Sequence, residues 1–244
     1  MPGRPSLLLA AAALLAAAAG AFGANSTAGR ISPVGERWHE LRFAGVPPTS
    51  YRVEMNGGSP VVVADAEGSA SVLYTRIDGS LEATPVLRWR WRVDRLPSGG
   101  DVRRRALDDA GARVYVGFRY APALVPFGQR LAYWLARLKQ GEYPPYAGIA
   151  YVWAAATPVG TRLPHPDYPR LLLVVVRSGA DRLGTWVEEE RDVRADAAAA
   201  CGGSPPPVSH IGVMTDADDT QSSAAARYGE IRLEPAGCPA VVTP

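Results

Sequence analysis

The sequence PVLRWRWRV at residues 85–93 alternates apolar and basic side chains with a period of two. Successive side chains of a β-strand point to opposite faces, so an alternation of this kind separates the two residue types. One face carries Leu87, Trp89, Trp91 and Val93, and the other carries Arg88, Arg90 and Arg92. The pattern predicts a strand with one face in an apolar core and a charged face turned outward.

Short runs of the same kind recur along the chain. The alternation is clean at residues 112–118, 209–214 and 230–233, and less regular at 51–55, 61–64, 71–77 and 149–155. Residues 171–176 are apolar on both faces, which predicts a central strand covered on both sides. The 25 Gly and 22 Pro residues cluster between these runs. Together they predict a mostly β protein, an antiparallel, jelly-roll-like β-sandwich with one or two short helices.

Two segments break the strand pattern. Phe127, Leu131, Trp134, Leu135 and Leu138 are spaced as one face of a helix of about three turns. We expect this face to pack on the sandwich rather than on a membrane surface, because the polar face is not rich in Lys and Arg. Residues 192–201 predict a second, short, alanine-rich helix.

The N-terminal residues resemble a secretory signal. Arg4 precedes an apolar stretch at residues 7–19, and small residues follow it. We therefore expect residues 1–23 to be a signal peptide and residues 24–244 to form one domain in the bacterial periplasm or outside the cell. In that oxidising setting Cys201 and Cys238 predict a disulfide, with two free or mispaired thiols as the alternative. No later segment is apolar enough over 18 residues to span a membrane.

Composition and missing motifs exclude several functions. The formal net charge of +2 does not favour a nucleic-acid partner. The sequence lacks a Gly-x-Ser-x-Gly elbow and a Gly-x4-Gly-Lys loop, which argues against an α/β-hydrolase and a P-loop enzyme. His39-Glu40 begins like a zinc-protease motif, but Phe43 stands where the second His is required. The three His residues are widely separated in sequence, which leaves little for a His-rich metal centre. We expect no cofactor, apart from the calcium ion that is considered below for the acidic residues.

A series of short motifs resembles one known family. They are Leu87–Val93, Asp101-Val102-Arg103, Asp108-Asp109, Ala112–Val116, Tyr151-Val152-Trp153, Pro158–Thr161, Val176–Gly179, Trp186–Glu189, Met214-Thr215-Asp216, Asp219-Thr220 and Tyr228–Ile231. Their order is similar to that in the exported bacterial family called domain of unknown function 3047, over residues 38–233. The last two strands also resemble, more weakly, the closing strands of jelly-roll carbohydrate-binding modules. The resemblance implies an exported single domain and implies no reaction.

The polar faces of the clean strands supply the candidate ligand site. If all the apolar faces share one core, the polar faces share one side of a sheet. That side would carry Arg88, Arg90, Arg92, Arg113, Tyr115, His210, Glu230 and Arg232, with Tyr151 and Trp153 if Ala150, Val152 and Ala154 face inward, and with Asp108 and Asp109 at one end. Such a face suits a carbohydrate or another anionic envelope ligand. The alternative is a solvated face with cross-strand ion pairs.

Acidic residues leave three further alternatives open. Asp216, Asp218 and Asp219 would form a calcium or ligand loop, or else a solvated turn. Asp108 and Asp109 would pair with Arg103, Arg104 or Arg105 unless they belong to the ligand site. Glu230 with Asp216 or Asp219 would serve a glycan-active hydrolase or lyase. The sequence favours a non-catalytic binding domain over this enzyme, and a structural envelope protein that binds a protein partner is a third reading.

Overall fold

The computed structural model describes residues 30–31, 38–140, 143–201 and 203–236. The expected signal peptide and Cys238 lie outside these residues, so export and the disulfide stay predictions. Among the described residues, no helix is both long enough and apolar enough to cross a membrane.

Thirteen strands and two α-helices are described. In chain order they are β1 (Arg30–Ile31), β2 (Trp38–Arg42), β3 (Ser50–Asn56), β4 (Ser59–Glu67), β5 (Ser71–Gly79), β6 (Val86–Arg95), β7 (Ala112–Phe118), α1 (Phe127–Gln140), β8 (Ala147–Ala154), β9 (Arg162–Pro164), β10 (Leu171–Ser178), β11 (Val187–Asp192), α2 (Val193–Cys201), β12 (Val208–Met214) and β13 (Ser223–Glu234). Short 3₁₀ turns lie at Arg105–Leu107 and Pro122–Leu124.

The strands form two sheets that face each other. The first sheet has the order β11-β6-β13-β4-β3, with β1 paired to β13, and all of its pairs are antiparallel. The second sheet has the order β2-β5-β12-β7-β8-β10-β9. The predicted mostly β, jelly-roll-like sandwich with two helices is therefore confirmed, although β8 and β10 pair in parallel.

Aromatic side chains join the two sheets at the centre of the core. Trp89 of β6 stacks on Tyr151 of β8 with 5.1 Å between ring centroids, and Trp91 meets Trp153 edge-on at 5.8 Å. These rings share one cluster with the apolar faces of β7, β12 and β13. The Leu/Trp face that the sequence predicted for β6 is thus the centre of the core.

The structure corrects two sequence predictions about individual elements. Leu173, Val174 and Val175 show that residues 171–176 are buried on both faces, as expected, but β10 is not central and lies next to the edge of its sheet, between β8 and the short β9. Its second face is covered by loops and not by a layer of strands, with Leu173 and Val175 in a small cluster beside Val102 and Ala110. The apolar face of α1, which was expected to pack on the sandwich, is exposed.

The sheet assignment decides where the polar faces lie. β6 and β13 belong to the first sheet, whereas β7, β8 and β12 belong to the second. Because each sheet turns its apolar face toward the other, the two polar faces lie on opposite sides of the molecule. The expectation that they share one side of a sheet is therefore wrong.

Candidate functional site

A cleft of about 630 Å³ lies on the outer face of the second sheet. Its floor is formed by β5, β7, β8 and β12, and its walls by α1 and by loops on either side. Floor and wall residues include Leu41, Phe43, Tyr74, Arg113, Tyr115, Gln129, Tyr133, Tyr146, His165, Tyr168, Arg170, His210, Met214 and Asp218. This volume is in the range of sites that hold a small molecule or a few sugar units.

Glycines keep part of the cleft floor free of side chains. Gly117, Gly148 and Gly212 lie on neighbouring strands and all line the cleft. A Cβ atom at Gly148 would come within 2.9 Å of the Val116 carbonyl oxygen, and one at Gly117 within 3.1 Å of the Pro145 ring. A side chain at Gly148 or Gly117 would therefore meet the Val116 carbonyl or the Pro145 ring and reduce the space for a ligand.

Tyrosine rings and one arginine form the wall on the α1 side. The Arg170 guanidinium lies 4.9 Å from the centre of the Tyr146 ring. One of its nitrogens donates to Gln129 Oε1 at 2.8 Å, and another lies 3.4 Å from the Tyr133 hydroxyl. Among the described residues no carboxylate forms an ion pair with Arg170, so its charge is held in place by neutral partners.

A buried ionic cluster closes the other end of the cleft. Arg113 is 1% exposed; its Nε and Nη2 atoms donate to the two Asp216 oxygens at 3.2 and 2.9 Å. The same Nη2 donates to Asp108 Oδ1 at 2.9 Å, and His165 Nε2 lies 2.9 Å from Asp108 Oδ2. The backbone N–H of Ala110 also donates to Asp216. One guanidinium thus holds two carboxylates of the cleft wall close together.

The pKa values of two carboxyl groups at this end of the cleft are shifted in opposite directions. Burial raises the pKa of Asp108, but the charge of Arg113 and the hydrogen bond from His165 outweigh burial and lower it overall. Burial together with the neighbouring Asp109 raises the pKa of Asp218. One end of the cleft therefore holds a carboxylate that stays ionised beside a carboxyl group that keeps its proton to higher pH.

Asp109 organises the loop that carries Asp218. Its fully buried carboxylate accepts hydrogen bonds from the backbone N–H groups of Asp219 and Thr220, at 3.2 and 2.7 Å, and from the Thr220 hydroxyl at 2.5 Å. Oxygens of Asp109, Asp218 and Asp219 lie within 4.8 Å of one another, so these three residues could hold a hard cation such as Ca²⁺. The sequence had placed Asp216 in this group, but Asp216 binds Arg113 instead.

Asp108 and Asp109 do not pair with the neighbouring arginines that the sequence offered. Arg103 forms its ion pair with Asp101 at 2.8 Å. Arg105 forms its ion pair with Asp167 at 2.8 Å. Asp108 lines the cleft, and Asp109 accepts hydrogen bonds from the loop that carries Asp218.

The predicted ligand residues of β6 and β13 lie on the opposite side of the molecule, outside the cleft; they are Arg88, Arg90, Arg92, Glu230 and Arg232. Arg88 pairs with Glu190 and Glu234 at 2.9 and 3.2 Å, and Arg92 pairs with Asp94 at 2.5 Å. This arrangement on the first sheet matches the alternative of a solvated face with cross-strand ion pairs.

Arg90 and Glu230 share that outer face. The Arg90 guanidinium lies 4.9 Å from the centre of the Trp186 ring, and Glu230 forms an ion pair with Arg232. Glu230 and the cleft are on opposite outer faces, so the structure does not bring Glu230 together with Asp216 or Asp219, the carboxylates named for the alternative of a glycan-active enzyme.

Tyr151 and Trp153 were expected on the ligand face only if Ala150, Val152 and Ala154 pointed inward, and this condition fails. Tyr151 pairs with Val114 across β8 and β7, and both side chains are buried in the central core. Period-two alternation could not decide this point, because both faces of β8 are apolar. Arg113, Tyr115, His210 and Asp108 are the predicted ligand residues that do line the cleft.

The walls of the cleft contain residues that were not predicted from the sequence. Tyr133, Tyr146, His165, Tyr168 and Arg170 come from α1 and from two proline-rich segments, not from clean strands. The available signal was the pair of segments YPPY at residues 143–146 and HPDYPR at residues 165–170. Proline interrupts the hydrogen bonding of a β-strand, so aromatic residues between prolines indicate loops rather than strands. Binding residues are often carried on such loops.

The chain is similar to several solved structures at low sequence identity. A family 11 carbohydrate-binding module from Clostridium thermocellum, bound to a β-1,3-1,4-mixed-linked tetrasaccharide, is 10% identical with a TM-score of 0.40, covering 86% of this chain and 98% of that one. The xyloglucanase domain of NopAA, a type three effector from Sinorhizobium fredii, in complex with cellobiose, is 8% identical with a TM-score of 0.43, covering 85% and 98%. At these values the likeness says nothing about what this chain binds.

A third solved structure, the family 11 xylanase from Neocallimastix patriciarum, is 9% identical with a TM-score of 0.40, covering 85% of this chain and 96% of that one. The comparison with curated protein sequences finds no match. A family model described as "Protein of unknown function (DUF3047)" matches residues 36–232, which is most of the chain. The protein therefore belongs to the DUF3047 family, as the order of its sequence motifs predicted.

Proposed function

We propose that the protein binds a glycan in the cleft of the second sheet. The observation that carries this proposal is the composition of the cleft, in which tyrosine rings line the walls and charged groups hold fixed positions at both ends. A sugar ring has one apolar face that stacks on an aromatic ring and a rim of hydroxyl groups that need hydrogen-bond partners. The cleft offers both kinds of contact within one enclosed volume.

The α1 side of the cleft supports a ligand with hydroxyl or carboxylate groups. Tyr133 and Tyr146 are half-buried, so part of each ring is open to the cleft. Arg170 is oriented by Gln129 and by the Tyr146 ring, and its remaining N–H groups suit the planar contact that an acidic sugar makes.

The opposite end supports the recognition of neutral hydroxyl groups. The carboxylates of Asp108 and Asp218 and the ring of His165 line this end and can accept or donate hydrogen bonds. If residues 1–23 direct export, the ligands that the protein meets are the polysaccharides of the cell envelope, and we place the glycan in that class.

A glycan array probed with the purified protein tests this proposal. We expect hits among envelope polysaccharides or their oligosaccharides, and we expect Tyr146→Ala to weaken binding about tenfold by removing one stacking ring. Trp186→Ala is the matched control, because Trp186 also lies 4.9 Å beneath an arginine but on the other face of the molecule. An array without hits, or equal losses in both variants, would contradict the proposal.

One observation favours a second candidate, a glycan-active hydrolase. Asp108 with a lowered pKa and Asp218 with a raised pKa line the same end of the cleft. Carboxyl groups whose environments push their pKa values apart are the usual acid and base of glycoside cleavage. Incubation with envelope polysaccharides followed by a reducing-end assay separates the two functions. Release of reducing ends that is abolished in Asp218→Asn would support the enzyme. A polysaccharide that binds without any release of reducing ends would support binding alone.

A further inference from the structure

The outer face of α1 exposes a continuous row of large apolar side chains. Phe127 is 86% exposed, Leu131 and Leu138 are each 63% exposed, and Trp134 and Leu135 are 48% and 47% exposed. These are the residues that recur every three or four positions, so they form a single stripe along the helix. A stripe of this length in contact with water is unusual in a folded domain and marks an interaction surface.

The other face of α1 is already docked on the protein. Ala136 is 2% exposed, and Gln129 and Tyr133 both contact Arg170 in the cleft wall. Arg130 Nε donates to the Val125 carbonyl oxygen at 3.1 Å and fixes the first turn of the helix. Turning the apolar stripe inward would break these contacts, so the stripe faces outward in the folded protein.

The charged residues of α1 itself are all basic. From Arg119 to Gly141 the sequence contains no Asp or Glu. Arg130 and Arg137 are seven residues apart and therefore border the stripe on one side. Among the described residues, no carboxylate forms an ion pair with Arg130 or Arg137. These two guanidinium groups lie against Phe127 and Tyr143, at 5.9 and 5.0 Å from the ring centres.

We propose that α1 docks the protein on an anionic lipid bilayer. An amphipathic helix with Trp, Phe and Leu on one face and basic residues at its borders lies in the plane of the interface, with the apolar face among the acyl chains. At the borders of such a stripe, Arg and Lys side chains can place their charged ends at the lipid phosphate groups while their aliphatic parts stay in the apolar layer. The charge pattern argues against a second copy of this chain, because pairing two stripes would bring the like charges of both helices together.

The proposal places the cleft near the bilayer surface, because α1 forms one wall of the cleft. The side chains of Gln129 and Tyr133 face the cleft while Leu131 and Trp134 face the lipid, so only the diameter of one helix, about 10 Å, separates the two. The docking does not depend on what the cleft binds, and it goes beyond the proposed function.

Co-sedimentation with sucrose-loaded vesicles tests the docking. We expect the full chain to bind vesicles of phosphatidylcholine and phosphatidylglycerol at a ratio of three to one, and to bind pure phosphatidylcholine at least about tenfold more weakly. We expect Phe127→Ser/Leu131→Ser to lower the partition constant for the anionic vesicles about tenfold or more. Arg130→Gln/Arg137→Gln should lower it by a similar factor and reduce its dependence on salt.

The matched control is Val53→Ser/Met55→Ser, which removes two apolar side chains of β3 that are 51% and 68% exposed. We expect this control to bind like the unmodified protein, and circular dichroism and the melting temperature confirm that each variant is folded. The proposal is overturned if the protein does not bind anionic vesicles, or if Phe127→Ser/Leu131→Ser binds within twofold of the unmodified protein. It is also overturned if sedimentation velocity shows a dimer that this variant abolishes while vesicle binding is absent.

Discussion

Replacing Arg113 by Met tests the buried ionic cluster at the end of the cleft. Met is similar in length to the arginine stem, so the substitution removes the charge and four hydrogen bonds while leaving little empty space. It leaves Asp216 with the N–H of Ala110 and leaves Asp108 with His165 as their remaining partners. Two carboxylates that are 2% and 7% exposed would then lack the guanidinium that compensates them.

The expected cost follows from the burial of these groups. Removing one partner of a buried ion pair destabilises a protein by about 3–5 kcal/mol, because the other charge stays buried without compensation. For a chain of this length 1 kcal/mol corresponds to roughly 2–4 °C in melting temperature, so the variant should melt about 10 °C lower. The lost guanidinium no longer favours the ionised carboxylates, so their pKa values rise in the variant.

Urea unfolding followed by tryptophan fluorescence at pH 7 and at about pH 4.5 measures the effect. The free energy of unfolding should fall by about 3–5 kcal/mol at pH 7. The difference between the two proteins should shrink at the lower pH, because protons then neutralise the two carboxylates of the variant. Arg113→Met/Asp216→Asn should recover part of the loss at pH 7. A loss under about 1 kcal/mol at pH 7, or a difference that grows as the pH falls, would refute this reasoning.

Three further substitutions test other parts of the structure. Because the pKa of Asp218 is raised in the folded state, ionisation of this carboxyl group destabilises the fold as the pH rises. Asp218→Asn should therefore have a higher melting temperature than the unmodified protein at pH 7 and the same melting temperature near pH 3. Glu82→Gln is the control, because Glu82 is exposed, and equal melting temperatures of Asp218→Asn and the unmodified protein at both pH values would contradict the raised pKa. Asp109→Ala removes three hydrogen bonds to the Asp218 loop and should speed amide hydrogen exchange at Thr220, whereas unchanged exchange contradicts its role. Trp153→Ala should lower the free energy of unfolding by about 3–5 kcal/mol in urea, and a loss below about 1 kcal/mol would contradict its place in the core.

The strands could be predicted from the sequence because their two faces differ in polarity. The alternation at residues 85–93 reports which side chains of β6 are buried, and the structure confirms Trp89 and Trp91 in the core. Alternation does not report which sheet a strand joins. The arginines of β6 and Arg113 of β7 therefore looked like one face, although they lie on opposite sides of the sandwich.

Strands with two apolar faces were the harder case. In β8, Tyr151 and Val152 are both buried, one in the central core and the other beneath the loops that cover the second sheet. Alternation with a period of two shows which face of a strand is buried only when the other face is polar, and both faces of β8 are apolar. The exposed stripe of α1 escaped prediction for a related reason, since amphipathic spacing shows that a helix has an apolar face without showing what covers it.

The most direct measurement of the central claim compares two arginines in calorimetric titrations with a glycan identified on the array. Arg170 lies over Tyr146 in the cleft, and Arg90 lies over Trp186 on the opposite outer face, each 4.9 Å from the ring centre. If the cleft is the binding site, Arg170→Ala weakens the affinity at least about tenfold, and Arg90→Ala leaves it unchanged. Loss of binding in Arg90→Ala with full binding in Arg170→Ala would contradict the account and would place the site on the first sheet.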